Sequence, residues 1–151
     1  MEDFDYIVYT DGCSLGNPGA GGVGIVIIDK DKQEKRFCKG FTRATNNQME
    51  LMAVILALKE LPNNCKVSVF TDSEYVANAL NQGWLERWKS NGWKTAAKKP
   101  VKNKELWEAL DRELSQKKVV FNWVKGHSSD HYNNLAHTLA NSAALKSENQ
   151  I

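Results

Sequence analysis

The order of the periodic segments predicts an α/β fold, a mixed five-stranded sheet flanked by helices. Strand-like and helix-like runs follow one another as β-β-β-α-β-α…α-β-α, the first three joined by short turns. The first run, Tyr6, Ile7, Val8 and Tyr9, is wholly β-branched or aromatic, which reads as a central strand buried on both faces. No linker or internal repeat interrupts the 151 residues, enough for one domain with a core. The domain is expected to span residues 1–146, with 147–151 as a frayed tail.

Each element has its own warrant. The first strand is expected to end at Asp11, where Gly12 and the run Ser14, Gly16, Asn17, Pro18 and Gly19 turn the chain. Residues 23–28 form a second apolar run, and Asp29-Lys30-Asp31-Lys32 a hairpin turn. Residues 34–41 are more polar, with lysines and Arg36 that suit an edge strand. Thr45, Asn46, Asn47 and Gln48 offer capping side chains to a helix whose apolar positions Leu51, Met52, Ile55, Leu58 and Leu61 run up to Pro62. Glu50 is expected in its first turn. Residues 66–71 form a fourth strand, ending at Asp72 before a helix over 74–80. Residues 105–114 place Leu106, Trp107, Leu110 and Leu114 on one helical face. A fifth strand over 119–124, a loop over 125–130 and a helix over 132–145, burying Leu135, Leu139 and alanines, complete the order.

Composition excludes several classes. At 42% hydrophobic and 25% charged residues the chain reads as soluble and globular, with no apolar run of membrane length. Glu2, Asp3 and Asp5 do not fit a signal peptide. Cys13, Cys38 and Cys65 form neither a CxxC pair nor a zinc pattern, and read as free thiols of a reducing cytoplasm. A monomer is expected.

The net charge of +2 says little, but its distribution says more. Residues 84–104 hold Trp84, Trp88 and Trp93 together with Arg87, Lys89, Lys94, Lys98, Lys99, Lys102 and Lys104, against the one acid Glu86. Trp84 and Trp88 share a helical face and can anchor a protruding element. The lysines cannot all be packed, so they face water or a polyanion. Asp11, Glu50 and Asp72 each sit at the start or end of an element feeding the sheet. Taken singly, Asp11 is a turn former, Glu50 a helix-dipole partner and Asp72 a helix cap. Taken together, with the first and fourth strands adjacent, they meet in one pocket, where ionised carboxylates repel and call for a cation. All-oxygen ligation suits Mg²⁺ or Mn²⁺, and paired ions held so stabilise a phosphoryl displacement. Acids beside a basic flank point to a metal-dependent nuclease acting on a nucleic acid backbone.

The sequence resembles the bacterial ribonuclease HI family, which cuts the RNA strand of RNA/DNA hybrids. The resemblance spans residues 6 to about 144. It rests on Thr10-Asp-Gly-Cys-Ser-Leu-Gly-Asn-Pro-Gly19, Thr45-Asn-Asn-Gln-Met-Glu-Leu-Met-Ala53, Thr71-Asp-Ser-Glu-Tyr-Val76, Gly92-Trp-Lys-Thr-Ala96, Lys98-Lys-Pro-Val-Lys-Asn103 and Trp123-Val-Lys-Gly-His127. It implies a ribonuclease H-like fold and two Mg²⁺ ions, Mn²⁺ being the alternative. Asp11 would bridge the ions, with Glu50 and Asp72 on one of them. His127 would assist proton transfer or product departure. Asn17, Asn46, Asn47 and Glu74 match positions at the hybrid's minor groove, including 2′-hydroxyls. Thr45 and Asn103 match positions that hold a DNA-strand phosphate. The basic protrusion, with Trp84, Trp88, Lys98, Lys99 and Lys102, would grip the DNA strand. The products would carry 5′-phosphate and 3′-hydroxyl ends.

One departure bears on the chemistry. The family places a fourth acid on the last helix, in an Asn-x-x-Ala-Asp-x-Leu-Ala setting, and here that position is His137. Ser129 also stands where a glycine is usual, and His131 is extra. Three readings of His137 stand: a nitrogen ligand favouring Mn²⁺ or Zn²⁺, a hydrogen-bond partner of a metal-bound water, or an engineered replacement that disables or stabilises. The alternative functions are a hybrid-binding protein with weakened or lost catalysis, or a nuclease of the same fold acting on DNA recombination intermediates.

Overall fold

The computed structural model describes residues 3–125 and 130–148. Its elements are β1 (Tyr6–Ser14), β2 (Gly19–Asp29), β3 (Glu34–Ala44), α1 (Asn46–Lys59), β4 (Lys66–Thr71), α2 (Glu74–Asn81), α3 (Trp84–Ser90), α4 (Lys104–Leu114), β5 (Lys118–Trp123) and α5 (His131–Glu148). The five strands form one mixed sheet in the order β3-β2-β1-β4-β5. β1 pairs antiparallel with β2 and parallel with β4, so the first and fourth strands are neighbours and the polar β3 is an edge, as expected.

The main core lies between the sheet and α1, α2 and α4. Val8, Val67 and Val69 meet Leu51, Val54, Leu58, Val76, Trp107 and Leu110, all fully buried. On the opposite face α5 packs across β2, β3 and β1. Burial on that side is incomplete. Ile7 points to it and is 36% exposed, which corrects the expectation of a first strand buried on both faces. The cysteines at 13, 38 and 65 are free thiols, as expected.

Glycines set the distance at which both helices lie. A Cβ on Gly12 would fall 2.3 Å from the Met49 carbonyl carbon and 2.5 Å from Glu50 N, so α1 crosses β1 with its backbone against Gly12. On the other face a Cβ on Gly24 would fall 2.0 Å from the Ala136 carbonyl oxygen, and one on Gly22 2.1 Å from that of Ala140. The α5 axis is therefore so close to the sheet that small side chains make the contact. Ala136, Ala140, Ala143 and Ala144 are buried, whereas Leu135 and Leu139, expected in the core, are only half-buried.

Other expectations need correction. β1 does not stop at Asp11 but runs on to Ser14, because β2 continues to pair with it through Ser14–Gly21. Glu50 lies beyond the first turn of α1, since Thr45 is the N-cap and its capping box with Gln48 starts the helix at Asn46. α5 begins at His131, where Asp130 accepts from the backbone N–H groups of Tyr132 and Asn133 (2.9 and 3.2 Å). It continues to Glu148, past the expected start of a tail at 147. Ser147 is buried where Gly40, lacking a side chain, leaves room against β3. Residues 149–151 lie outside the described residues.

Candidate active site

The sheet opens at one point. β1 pairs with β4 only as far as Thr10–Thr71, and β4 ends there while β1 runs on. Asp11 is the next residue on β1 and Asp72 the next after β4. Beside this notch α1 crosses at Gly12, which delivers Glu50, and α5 crosses at Gly24, the β-partner of Asp11, which delivers His137. Four residues separated by up to 126 positions thus converge, Asp11, Glu50 and Asp72 as expected and His137 as the resemblance implied, although only Asp72 stands at an element end.

Their contacts are specific. Asp11 is buried, with one carboxylate oxygen accepting from Gly12 N at 3.0 Å and the other 2.7 Å from His137 Nδ1. Burial and the adjacent Asp72 charge push the Asp11 carboxyl up to about 7, against the opposing pull of the His137 contact. Glu50 is also raised, chiefly by burial, with Asp72 adding to it, while a hydrogen bond from Ser73 Oγ (2.6 Å) works the other way. Ser73 also caps α2 by accepting from Val76 N at 3.1 Å, a role that sequence alone offers to Asp72. The Asp72 carbonyl accepts from the indole N–H of Trp123 at 3.2 Å.

This donor set fits a hard cation. The Asp11 and Glu50 carboxyls stand above their ordinary range, chiefly through burial and in part through the Asp72 charge, a cost that a divalent ion would relieve. Among the described residues no three of His, Cys, Asp or Glu stand close enough together to enclose an ion. Glu50 is turned to Ser73, and His137 spends Nδ1 on Asp11, so Nε2 is the nitrogen left to it.

A cleft adjoins the acids, lined by Asn17, Thr45, Asn46, Asn47, Lys102 and Asn103. All six are predicted substrate contacts, brought together from three stretches of chain. Asn46 Oδ1 accepts from Ser14 N and Oγ (2.8 and 3.0 Å), and Asn17 Oδ1 accepts from Asn46 N (3.1 Å). Both side-chain oxygens are thereby used, leaving the amide NH₂ groups as donors. With Lys102 at the other wall, the chemistry suits an anion or a hydroxyl. Glu74 is exposed in the first turn of α2 and does not line this cleft.

The basic protrusion is braced rather than loose. Trp84 and Trp88 lie on one face of α3, ring centroids 6.4 Å apart, and Trp88 meets the buried Trp107 edge-on at 5.3 Å. Lys98, Lys99 and Lys102 are exposed, the first two on a turn closed by Lys98 N to Thr95 O (2.9 Å) and Thr95 N to Lys99 O (2.8 Å). Lys89 is tied down instead, its ammonium 3.1 Å from Asp111. His127 falls outside the described residues. Ser73, Tyr75 and Trp123 lie in stretches that carry the resemblance, but the sequence assigns them no role. The serine does carry a signal, since Ser opening a predicted helix is a standard cap that can also serve a neighbouring acid.

Comparison with known proteins shows the family. The RNase H family model matches residues 3–145. Ribonuclease H of Vibrio campbellii is 50% identical over 137 residues, covering 91% of this chain and 88% of that protein. Ribonuclease H of Escherichia coli is 49% identical over 138 residues, with coverage of 91% and 88%. Among solved structures, LC9-RNase H1, described as a type 1 RNase H with the type 2 active-site motif, superposes with a TM-score of 0.85 at 27% identity, covering 97% of this chain and 75% of that one. LC11-RNase H1, solved in complex with an RNA/DNA hybrid, gives 0.72 at 27% identity, covering 93% and 97%. The chain belongs to the RNase H family, alongside the bacterial ribonucleases HI.

Proposed function

We propose that the chain is a metal-dependent endonuclease, a monomer of the cytoplasm, that hydrolyses the RNA strand of RNA/DNA hybrids to 5′-phosphate and 3′-hydroxyl ends. The convergence of Asp11, Glu50 and Asp72 at the notch between β1 and β4, next to a donor-lined cleft, carries the reading. The relatives named ribonuclease H, and the hybrid bound to LC11-RNase H1, support the choice of substrate.

Asp11, Glu50 and Asp72 would hold divalent cations, Mg²⁺ or Mn²⁺, with His137 beside Asp11. When bound, such ions supply Lewis-acid stabilisation of the attacking and leaving oxygens of the phosphoryl displacement. The chain's own residues do the rest. Ser73 holds Glu50 on the side of the notch facing Asp72. Gly12 N and His137 orient the two oxygens of Asp11. Thr45 and Asn103 bind a DNA-strand phosphate, which sets the register of the hybrid without reading sequence. Asn17, Asn46 and Asn47 offer amide donors to groove edges and 2′-hydroxyls, the groups that distinguish RNA from DNA. Exposed Lys98, Lys99 and Lys102 attract the backbone. His127 supplies an imidazole, the side chain suited to exchanging a proton near neutral pH, for transfer at the scissile position.

The test is cleavage of a labelled RNA/DNA hybrid with Mg²⁺ and with Mn²⁺, beside duplex RNA and duplex DNA, with Asp11→Asn as the inactive control. Cleavage confined to the RNA of the hybrid is expected. Binding without cleavage, rescued by His137→Asp, would identify a disabled hydrolase instead.

A further inference from the structure

Tyr75 has no part in the chemistry described so far, yet it joins the two halves of the substrate surface. It lies in the first turn of α2, three residues beyond Asp72. Its hydroxyl oxygen accepts from Trp107 Nε1 at 2.9 Å and from Asn103 Nδ2 at 3.4 Å. The first donor is immovable. Trp107 is fully buried, stacked obliquely on Tyr75 at 5.4 Å and wedged against Trp88. The phenolic oxygen is therefore pinned at one place.

Asn103 is the opposite case. It precedes α4 in the left-handed region (φ 59°), at a position where an asparagine side chain usually accepts from the helix's first N–H groups. Here it makes no such bond, so the helix does not fix its amide. Without Tyr75 the two ends of that amide could exchange. A hydroxyl already accepting from Trp107 can receive the NH₂ end of Asn103 on its second lone pair. One amide hydrogen is used in this way and the other remains a donor. The distinction matters at the cleft that Asn103 lines with Thr45 and Lys102, because a phosphate only accepts. An amide turned the other way would present its oxygen to an anion.

We infer that Tyr75 is a positioning residue, whose hydroxyl, pinned by Trp107, orients the Asn103 amide so that it offers an N–H to a backbone phosphate of the substrate. The inference rests on the proposed reading of the cleft as a phosphate site. It makes α2, the helix that follows Asp72, the ruler between that held phosphate and the acids.

The experiment is a double-mutant cycle on the full chain: the parent, Tyr75→Phe, Asn103→Ala and the double variant. KM and kcat on an RNA/DNA hybrid, the dissociation constant for the same hybrid, and melting temperature are measured for each. Tyr75→Phe keeps the ring and removes only the hydroxyl. KM is expected to rise about twofold to tenfold, the range for one positioned hydrogen bond, with kcat within about twofold. The double variant should bind no worse than Asn103→Ala, since no amide remains to be oriented. If Tyr75→Phe lowers the melting temperature but leaves KM unchanged, the hydroxyl serves only Trp107 and the inference fails. Additive losses in the double variant overturn it as well. If Asn103→Ala itself leaves KM and binding unchanged, the phosphate reading of the cleft is what fails, and the inference falls with it.

Discussion

Replacing His137 with aspartate should destabilise the metal-free protein and reverse that loss when divalent ions are added. The imidazole nitrogen stands 2.7 Å from Asp11 Oδ2. A carboxylate grown from the same backbone position would bring a like charge to about 5 Å from Asp11, where two unit charges at an effective dielectric of about 20 repel by roughly 3 kcal/mol. The side chain at 137 is 61% exposed, so water and salt reduce the repulsion, leaving about 1–2 kcal/mol. Removing the imidazole's hydrogen bond to Asp11 takes away about 1 kcal/mol more. In a domain of about this length each kcal/mol moves the melting temperature by about 2–4 °C, so a fall of roughly 4–12 °C is expected in EDTA at neutral pH. Titrating Mg²⁺ should raise the variant's melting temperature more than the parent's, because the fourth carboxylate adds ion affinity to the folded state alone. Calorimetry with and without Mg²⁺ measures both quantities. A melting temperature in EDTA that stays level or rises would refute the reasoning, since it would mean the notch is not short of positive charge.

Three further outcomes follow from the same geometry. Gly12→Ala should lower stability by about 1–3 kcal/mol in urea unfolding and reduce cleavage more steeply, because the new methyl meets α1 backbone and must push Glu50 away from Asp11. An unchanged activity would show that α1 does not set the site. The pH dependence has a defined sign. Asp11 titrates at about 7 folded against 3.8 unfolded, so the folded state holds the extra proton between those values and metal-free stability falls as pH rises through that window, by at most about 4 kcal/mol. Asp11→Asn should flatten the fall, and equal slopes for parent and variant in EDTA would contradict the shift. Neutralising Lys98, Lys99 and Lys102 should weaken hybrid binding and lower the slope of log K against log salt by up to about 0.9 for each phosphate no longer neutralised. An unaltered slope would make the patch a solvated surface only.

Much of this site was legible in the chain because each acid sits beside a break in periodicity. Asp11 precedes a glycine in an apolar run, Asp72 stands between a strand and a capped helix, and Glu50 follows the helix-opening cluster at Thr45. What could not be read locally is where helices cross the sheet. Gly12, Gly22 and Gly24 look like turn or flexibility residues in sequence, yet they act as close-approach points whose partners lie far along the chain. The same blindness misplaced the core of α5, where leucines are the obvious choice but the short helix-to-sheet distance selects alanines. The end of α5 is hidden for a related reason, since polar Ser147 is buried only because β3 offers Gly40 beneath it. For Tyr75 and Trp123 the sequence suggests no polar partner, because an aromatic residue near an element end is ordinarily core. Their polar atoms reveal a function only when the partners are in place.

The seating of α5 on glycines has a consequence for how this enzyme family can change. The backbone at position 137 is located by Ala136 and Ala140 resting on bare sheet, while the side chain at 137 itself projects away from that contact into a largely open position. Where the fourth group stands and what it is are therefore specified by different residues. Substitution there edits the charge beside Asp11 without repacking the helix, so the position behaves as an interchangeable socket. An aspartate or a histidine can therefore stand at 137 while the helix keeps the same seat on the sheet.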